Sequence, residues 1–383
     1  MIEHYIRGFE EELREIRHQI HENPELGLQE FKTSALVAEK LRQWGYEVEQ
    51  GLATTGIVAT LKVGDGEKSI GLRADMDALP IYENSGKLWA SKHPGLMHAC
   101  GHDGHTTILL GAARYFAETR RFNGTLRLIF QPAEEMINGG EIMVKEGLFD
   151  HFPCDVIFGM HNMPGLPVGK FYFQPGALMA SMDQFHITVR GCGGHGAIPH
   201  KAIDPVLVAA HITTALQSIV SRNVDPLEAA VITVGSIVAG EAANVIPDSA
   251  EMKISVRSLS RDTRQLLLTR IPALAQAQAA SFGATAEVTH VNGTPVLVND
   301  EEMARFAWQV ACKTFGEDRA EFGIKPLMGS EDFSFMLEAQ PKGGFLLFGN
   351  GDVGEGSCMV HNPGYDFNDA LLLSGAALWC GLT

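Results

Sequence analysis

Between His98 and His105 the chain runs His-Ala-Cys-Gly-His-Asp-Gly-His, which crowds a thiol, three imidazoles and a carboxylate into one short segment. Side chains two apart in an extended segment point to the same side, so Cys100 and His102 are expected to reach one centre from a Gly-rich loop ahead of a helix starting near Thr106. Soft sulfur plus imidazole suits Zn²⁺ or a neighbouring transition ion, with geometry and supply deciding which. Further groups of the same chemistry are Asp75-Met-Asp77, Gln131-Pro-Ala-Glu134-Glu135, His161-Asn162, and His361 in Val360-His-Asn-Pro-Gly-Tyr-Asp366. Taken singly, each of these has an ordinary reading: loop histidine, turn-forming aspartate, solvated surface glutamate. Their joint occurrence points to a metal site.

Two adjacent glutamates suit metal-assisted hydrolysis, one as ligand and the other as proton shuttle. A metal lowers the pKa of its water from 15.7 to roughly 7, and a nearby carboxylate can take that proton and return it to a leaving amine. Spacing does not assign the two roles. The same residues admit a thiol amidase, with Cys100 as nucleophile activated by His102 or His105, and a catalytically silent ligand-binding protein.

These groups need elements to bring them together. Ser69–Arg73 runs into Asp75-Met-Asp77, Thr125–Phe130 into Gln131 to Glu135, and Val156–Met160 into His161-Asn162, each a short apolar run of strand type. In open α/β sheets ligands bind at the carboxyl ends of strands, so the clusters are expected to share one crevice. Apolar spacing predicts helices over Glu10–His21 and Phe31–Trp44, joined by the Asn23-Pro24-Glu25 turn, and over Thr106–Ala117 and Gly140–Glu146. Gly56–Lys62 and Ser69–Arg73 are expected to be strands around a hairpin-like turn, Gly64-Asp-Gly66, with a further strand over Phe345–Phe348. The alternation predicts an α/β layered core with a sheet that is at least partly parallel.

The middle of the chain differs. It reads as strand Gln184–Arg190, helix Pro205–Val220, strands Ala230–Val238 and Glu251–Arg257, helix Asp262–Ser281 and strand Ala286–Val291. That β-α-β-β-α-β order predicts a ferredoxin-like α+β unit inserted into the first domain. The expected division is 1–180 and 293–383 for the α/β domain and 181–292 for the insertion, with linkers near Ala180 and Gly293.

A chain of 383 residues, 45% hydrophobic, has enough apolar content for two cored domains and too much for a disordered one. Its net charge of −16, without a Lys/Arg cluster, argues against nucleic-acid binding and anionic membrane surfaces. No apolar run reaches the roughly 18–20 residues of a membrane span, and Met1–Ile20 lacks an apolar signal core, so a cytoplasmic protein is expected. The six cysteines form no CxxC or disulfide-like framework, which fits a reducing compartment.

His98–His105, Gln131–Glu135, Gly159-Met-His-Asn162, Gly191-Cys-Gly-Gly-His-Gly-Ala197 and His361-Asn-Pro-Gly-Tyr365 together resemble the aminoacylase and hippurate hydrolase group of di-metal amidohydrolases. Plant auxin-conjugate hydrolases and, more distantly, carboxypeptidase-G-like peptidases are its relatives, and the resemblance spans nearly the whole chain in order. It implies a di-metal peptidase-like catalytic domain with an inserted dimerisation and lid domain, hence a homodimer or higher homo-oligomer. It further implies two divalent ions per subunit (Zn, Mn, Co or Ni) held by Cys100, His102, Glu135, His161 and His361, with Glu134 as general base.

Cys100 sits where distant relatives place a bridging carboxylate. Asp75-Met-Asp77 matches their His-x-Asp motif without its histidine, which His102 replaces, so Asp77 becomes an orienting group and Asp75 has no assigned role. By the same similarity His195 of the partner subunit polarises the scissile carbonyl, while Asn244 and Arg257 hold the substrate carboxylate. The implied reaction is hydrolysis of N-acyl amino acids, small-molecule substrates whose benzoyl, acetyl, longer acyl or indole-acetyl group the sequence leaves open.

Overall fold

A computed structural model describes residues 2–383. The chain forms two compact units, one of residues 1–176, 298–325 and 332–383 and the other of residues 177–297 and 326–331. The short return of Pro326–Glu331 to the second unit interrupts the second α/β segment, an excursion without a composition shift in the sequence.

The first unit is a mixed α/β fold around an eight-stranded sheet, in the order Glu47–Leu52, Gly56–Val63, Gly124–Gln131, Ser69–Asp75, Val156–Pro164, Gly343–Gly351, Phe171–Phe173, Ala320–Phe322. Ser69–Asp75 pairs in parallel with both Gly124–Gln131 and Val156–Pro164, and Gly343–Gly351 runs parallel to Val156–Pro164. Four neighbouring strands therefore end on the same edge. All nine residues of Gly343–Gly351 are buried, as expected of a central strand covered on both faces.

The expected hairpin does not form. Gly56–Val63 pairs antiparallel with Gly124–Gln131, which separates it from Ser69–Asp75; its own hairpin partner is the preceding strand, Glu47–Leu52. Glycines in a loop mark a turn but do not choose which strands pair across it, and Glu47-Val-Glu-Gln is too polar to announce an edge strand.

Helix His102–Thr119 is buried nearly all round and packs on the equally buried Leu371–Leu382. A helix covered on nearly every side belongs inside a layered core, and this one buries polar groups in its first turns, beginning with His102. Helices Glu10–Glu22 and Phe31–Gln43 stand where spacing predicts them.

The second unit has a four-stranded antiparallel sheet in the order Ala230–Val238, Ser249–Ser258, Ser181–Arg190, Thr285–Thr294. Helices Pro205–Arg222 and Arg261–Ser281 bury Val208, Ile212, Leu216, Leu267 and Ile271 with the inward residues Phe185, Ile187 and Val189 of the sheet, completing the ferredoxin-like arrangement. Among the described residues no helix is long and apolar enough to cross a membrane.

Candidate metal centre

The polar clusters expected at strand ends do lie at one edge of the first unit's sheet, although the strands run further than their apolar cores suggest. Ser69–Asp75 includes Asp75, and Val156–Pro164 includes His161 and Asn162. The loop expected to present His102 is absent. Helix geometry begins at His102, after Gly101 turns the chain at φ +94°. A side chain on Gly101 would stand 2.4 Å from Asn162 Oδ1 and 2.5 Å from the Tyr365 hydroxyl, so this turn needs glycine for its conformation and for space. Cys100 and His102 converge through that turn and not through a strand-like alternation.

Five potential ligands meet here. Cys100 Sγ lies 3.3 Å from His161 Nε2, Glu135 Oε1 3.2 Å from His361 Nε2, and His102 Nε2 3.9 Å from Glu135 Oε1. Cys100, His102 and His161 form one triad of ligand atoms within 4.8 Å of one another, and Cys100, Glu135 and His361 form another. Cys100 belongs to both. Glu134 and Glu135 share a third group with His102.

The chemistry of these donors fits divalent cations. His102 Nε2 is a buried atom without a hydrogen-bond partner, a costly state for a polar group unless something else binds it, and the equally buried Glu135 Oε1 faces His361 Nε2 at 3.2 Å. The far nitrogen of each inner histidine is fixed: His102 Nδ1 lies 3.0 Å from Asp77 Oδ1, and His161 Nδ1 lies 2.6 Å from its neighbour's carbonyl, Asn162 O. Such contacts set the tautomer that leaves Nε2 as a lone-pair donor. Asp77 also accepts the Glu135 backbone N–H at 3.0 Å, so one buried carboxylate orients two of the groups.

The local electrostatics point the same way. Burial, then the carboxylates of Glu135, Glu134 and Asp75, push the Cys100 thiol well above its usual range. Burial opposes charge on His102, but Asp75, Asp77 and Glu135 outweigh it and its pKa is pushed up to about 10. His161 is held well below its usual value, first by burial and then by His105. A pocket this rich in carboxylates favours added positive charge, and a bound cation would also favour the Cys100 thiolate.

Under the ligands lies a second layer. Arg73 Nη1 donates to Asp75 Oδ2 at 2.7 Å, Nη2 to Asp332 Oδ1 at 3.1 Å and Nε to Gln131 Oε1 at 2.8 Å. Asp75 Oδ1 lies 2.7 Å from His105 Nδ1, and His105 Nε2 lies 2.7 Å from Asn162 Oδ1. Asp75 is thus engaged by Arg73 and His105 in the floor of the pocket. Arg73 within an apolar strand is a legible sign of a buried partner; Asp332, far along the chain, carries no local sign.

The remaining expected site residues lie in the second unit. His195 is exposed on a two-strand ribbon, opposite Val245, and Asn244 O accepts the Gly196 N–H at 2.8 Å, which makes Asn244 and His195 neighbours. His195 Nδ1 accepts the Ala197 N–H at 3.0 Å, which leaves Nε2 to carry the proton of the neutral ring. Arg257 is half-buried and Nη1 donates to Met328 O at 2.8 Å.

Comparison with known proteins agrees with this geometry. The sequence profile of Peptidase family M20/M25/M40 matches residues 71–383. The chain is 47% identical to the hippurate hydrolase of Campylobacter jejuni over 371 residues, 97% of this chain and 95% of that one. It is 37% identical to an N-acetyl-L-cysteine deacetylase of Bacillus subtilis, covering 96% of this chain and 86% of that one. A solved Bacillus subtilis dinuclear metal-binding peptidase of the M20 family superposes with a TM-score of 0.84 at 32% identity, covering 98% of each chain.

Proposed function

From the premise that the chain belongs to peptidase family M20/M25/M40, we propose that it is a metal-dependent amidohydrolase that cleaves the amide of N-acyl amino acids, releasing a carboxylic acid and a free amino acid. The observation that carries this reading is the meeting of Cys100, His102, Glu135, His161 and His361 beside Glu134 at one sheet edge. Two divalent ions, from among Zn, Mn, Co and Ni, would when bound by these five residues acidify a water and polarise the scissile carbonyl.

Glu134 is the proton carrier. Its carboxylate takes the proton of the attacking water and delivers it to the departing amine, so that one residue is base and then acid. The Asp332 N–H lies 3.4 Å from Glu134 Oε1 and helps hold it. Asp77 fixes the His102 ring and the Glu135 backbone. His195 of the partner subunit presents its Nε2–H to the carbonyl oxygen as negative charge develops there. Asn244 and Arg257 hold the substrate carboxylate, and the second unit serves as dimerisation and lid domain of a homodimer. Free cysteines throughout the described chain support a cytoplasmic setting.

A thiol amidase fits less well. The carboxylates and burial that push the Cys100 thiol up work against the thiolate such a nucleophile needs.

The test is dialysis of the protein against a chelator, with hydrolysis of a panel of N-acyl amino acids followed by the amine released. Activity is expected to fall to background and return on adding Zn²⁺, Mn²⁺, Co²⁺ or Ni²⁺. Activity indifferent to metal removal would overturn the reading in favour of the thiol.

A further inference from the structure

Glu30 lies outside the segment that the family profile matches and outside every motif singled out in the sequence. It nevertheless has no solvent exposure. Burying a carboxyl group is unfavourable unless both oxygens find donors, and an apolar residue would serve a core better. Here both do: Oε2 accepts the Thr55 hydroxyl at 2.5 Å and Oε1 accepts the backbone N–H of Ala133 at 2.9 Å.

The second of these is the informative one. Ala133 is buried, sits at φ +54° and ψ +43°, and immediately precedes Glu134 and Glu135. This left-handed conformation is uncommon for a residue with a Cβ and persists where surrounding contacts impose it. The turn is closed on its other side by the Gly139 N–H, which donates to Ala133 O at 2.9 Å. A Cβ on Gly139 would stand 1.8 Å from Pro132 O, so the close approach that closes this turn requires glycine at 139. Beyond the turn, Asp77 holds the Glu135 N–H. The backbone is therefore gripped by one buried carboxylate just before Glu134 and by another just after it.

We propose that Glu30 is a positioning residue: it holds the left-handed turn at Ala133 and so aims the Glu134 carboxylate, without touching substrate or the reacting atoms. The inference rests on the reading of Glu134 as proton carrier. It assigns to the N-terminal helical segment a part in the chemistry.

The test uses the full-length, metal-saturated protein, five single substitutions and one double variant. Glu30→Ala is expected to lower kcat at least tenfold with KM within about twofold. Because Glu135 shares the turn, it should also weaken metal affinity, read by competition with a chromogenic chelator, by roughly tenfold. Glu30→Gln keeps an acceptor for the Ala133 N–H and should recover most of both losses. Ala133→Gly makes the left-handed turn easy for the backbone, so in that background Glu30→Ala should cost kcat only two- to threefold.

A purely structural Glu30 would lower the melting temperature in every background and leave kcat and metal affinity within twofold, which would overturn the proposal. So would an unchanged Glu30→Ala effect in the Ala133→Gly background. Should Glu30→Ala not fold, Thr55→Val removes the other anchor and decides the matter, with a severalfold loss of kcat expected and an unaltered kcat contradicting it. Glu134→Gln separates the two levels: if it retains turnover, the reading of Glu134 fails, whereas a dead Glu134→Gln beside an unaffected Glu30→Ala sinks only the positioning role.

Discussion

In the first unit Arg73, Asp75, His105 and Asp332 are all buried and all engaged, whereas in the second His195 and Asn244 stand exposed on a two-strand ribbon and Arg257 leans on a backbone carbonyl. A metal site must hold several ligand atoms at set distances while the substrate changes, so its side chains need rotamers locked from behind. The groups proposed to meet the substrate have the opposite requirement, and His195 lies exposed between Gly194 and Gly196. Preorganisation is concentrated where cations would sit. Burial separates the residues that support the metal site from His195 and Asn244, while His361 is a candidate ligand that stays exposed.

The contrast can be tested from both sides. The largest effect should come from the exposed side: His195→Ala is expected to reduce kcat by about a hundredfold or more, the usual cost of losing one oxyanion donor, while metal content stays unchanged. Metal analysis and steady-state kinetics on the same preparation check this, and near-normal turnover would remove His195 from the chemistry. On the buried side, Asp77→Ala should weaken metal affinity by about 10–100-fold and lower activity chiefly through lost metal, recoverable at high metal concentration. Loss that excess metal cannot restore would mean that Asp77 does more than orient.

A smaller effect concerns the buried charges behind the site. His21 Nδ1 lies 2.8 Å from Asp103 Oδ2 and Nε2 lies 3.2 Å from Glu83 Oε1, while Arg17 pairs with Asp103 and Asp366. Burial opposes a charged His21, but Asp103 and Glu83 prevail and push its pKa up to about 9. A histidine whose folded pKa is raised contributes stability that is fully present below its unfolded value, near 6.5, and is lost as pH rises through about 9. Denaturant titrations should therefore show stability falling by roughly 1–3 kcal/mol from pH 6.5 to 9. His21→Gln should flatten that slope, and an unchanged slope would place its origin elsewhere.

Much of this was legible in the sequence because it was local. The apolar runs before Asp75, Gln131 and His161 are strands, and the β-α-β-β-α-β order of the middle segment is what the second unit builds. The crowded run at Cys100 and His102 does face Glu135, His161 and His361. What the sequence hid was mostly non-local. The pairing of Gly124–Gln131 between Gly56–Val63 and Ser69–Asp75 depends on packing across the whole sheet, which a turn signal cannot encode. The start of the helix at His102 depends on a left-handed Gly101, and its Gly-rich surroundings read equally well as loop. Asp332 and Glu30 reach the site from distant segments, with no spacing rule to connect them to it.

Anomalous scattering from crystals grown with excess zinc tests the central claim most directly. Two peaks per chain are predicted, each about 2.0–2.3 Å from its ligand atoms, with Cys100 Sγ, His102 Nε2, Glu135, His161 Nε2 and His361 Nε2 supplying those atoms between them. Well-ordered crystals without zinc at these five residues, or with zinc bound elsewhere while His102 and Glu135 keep to themselves, would contradict it.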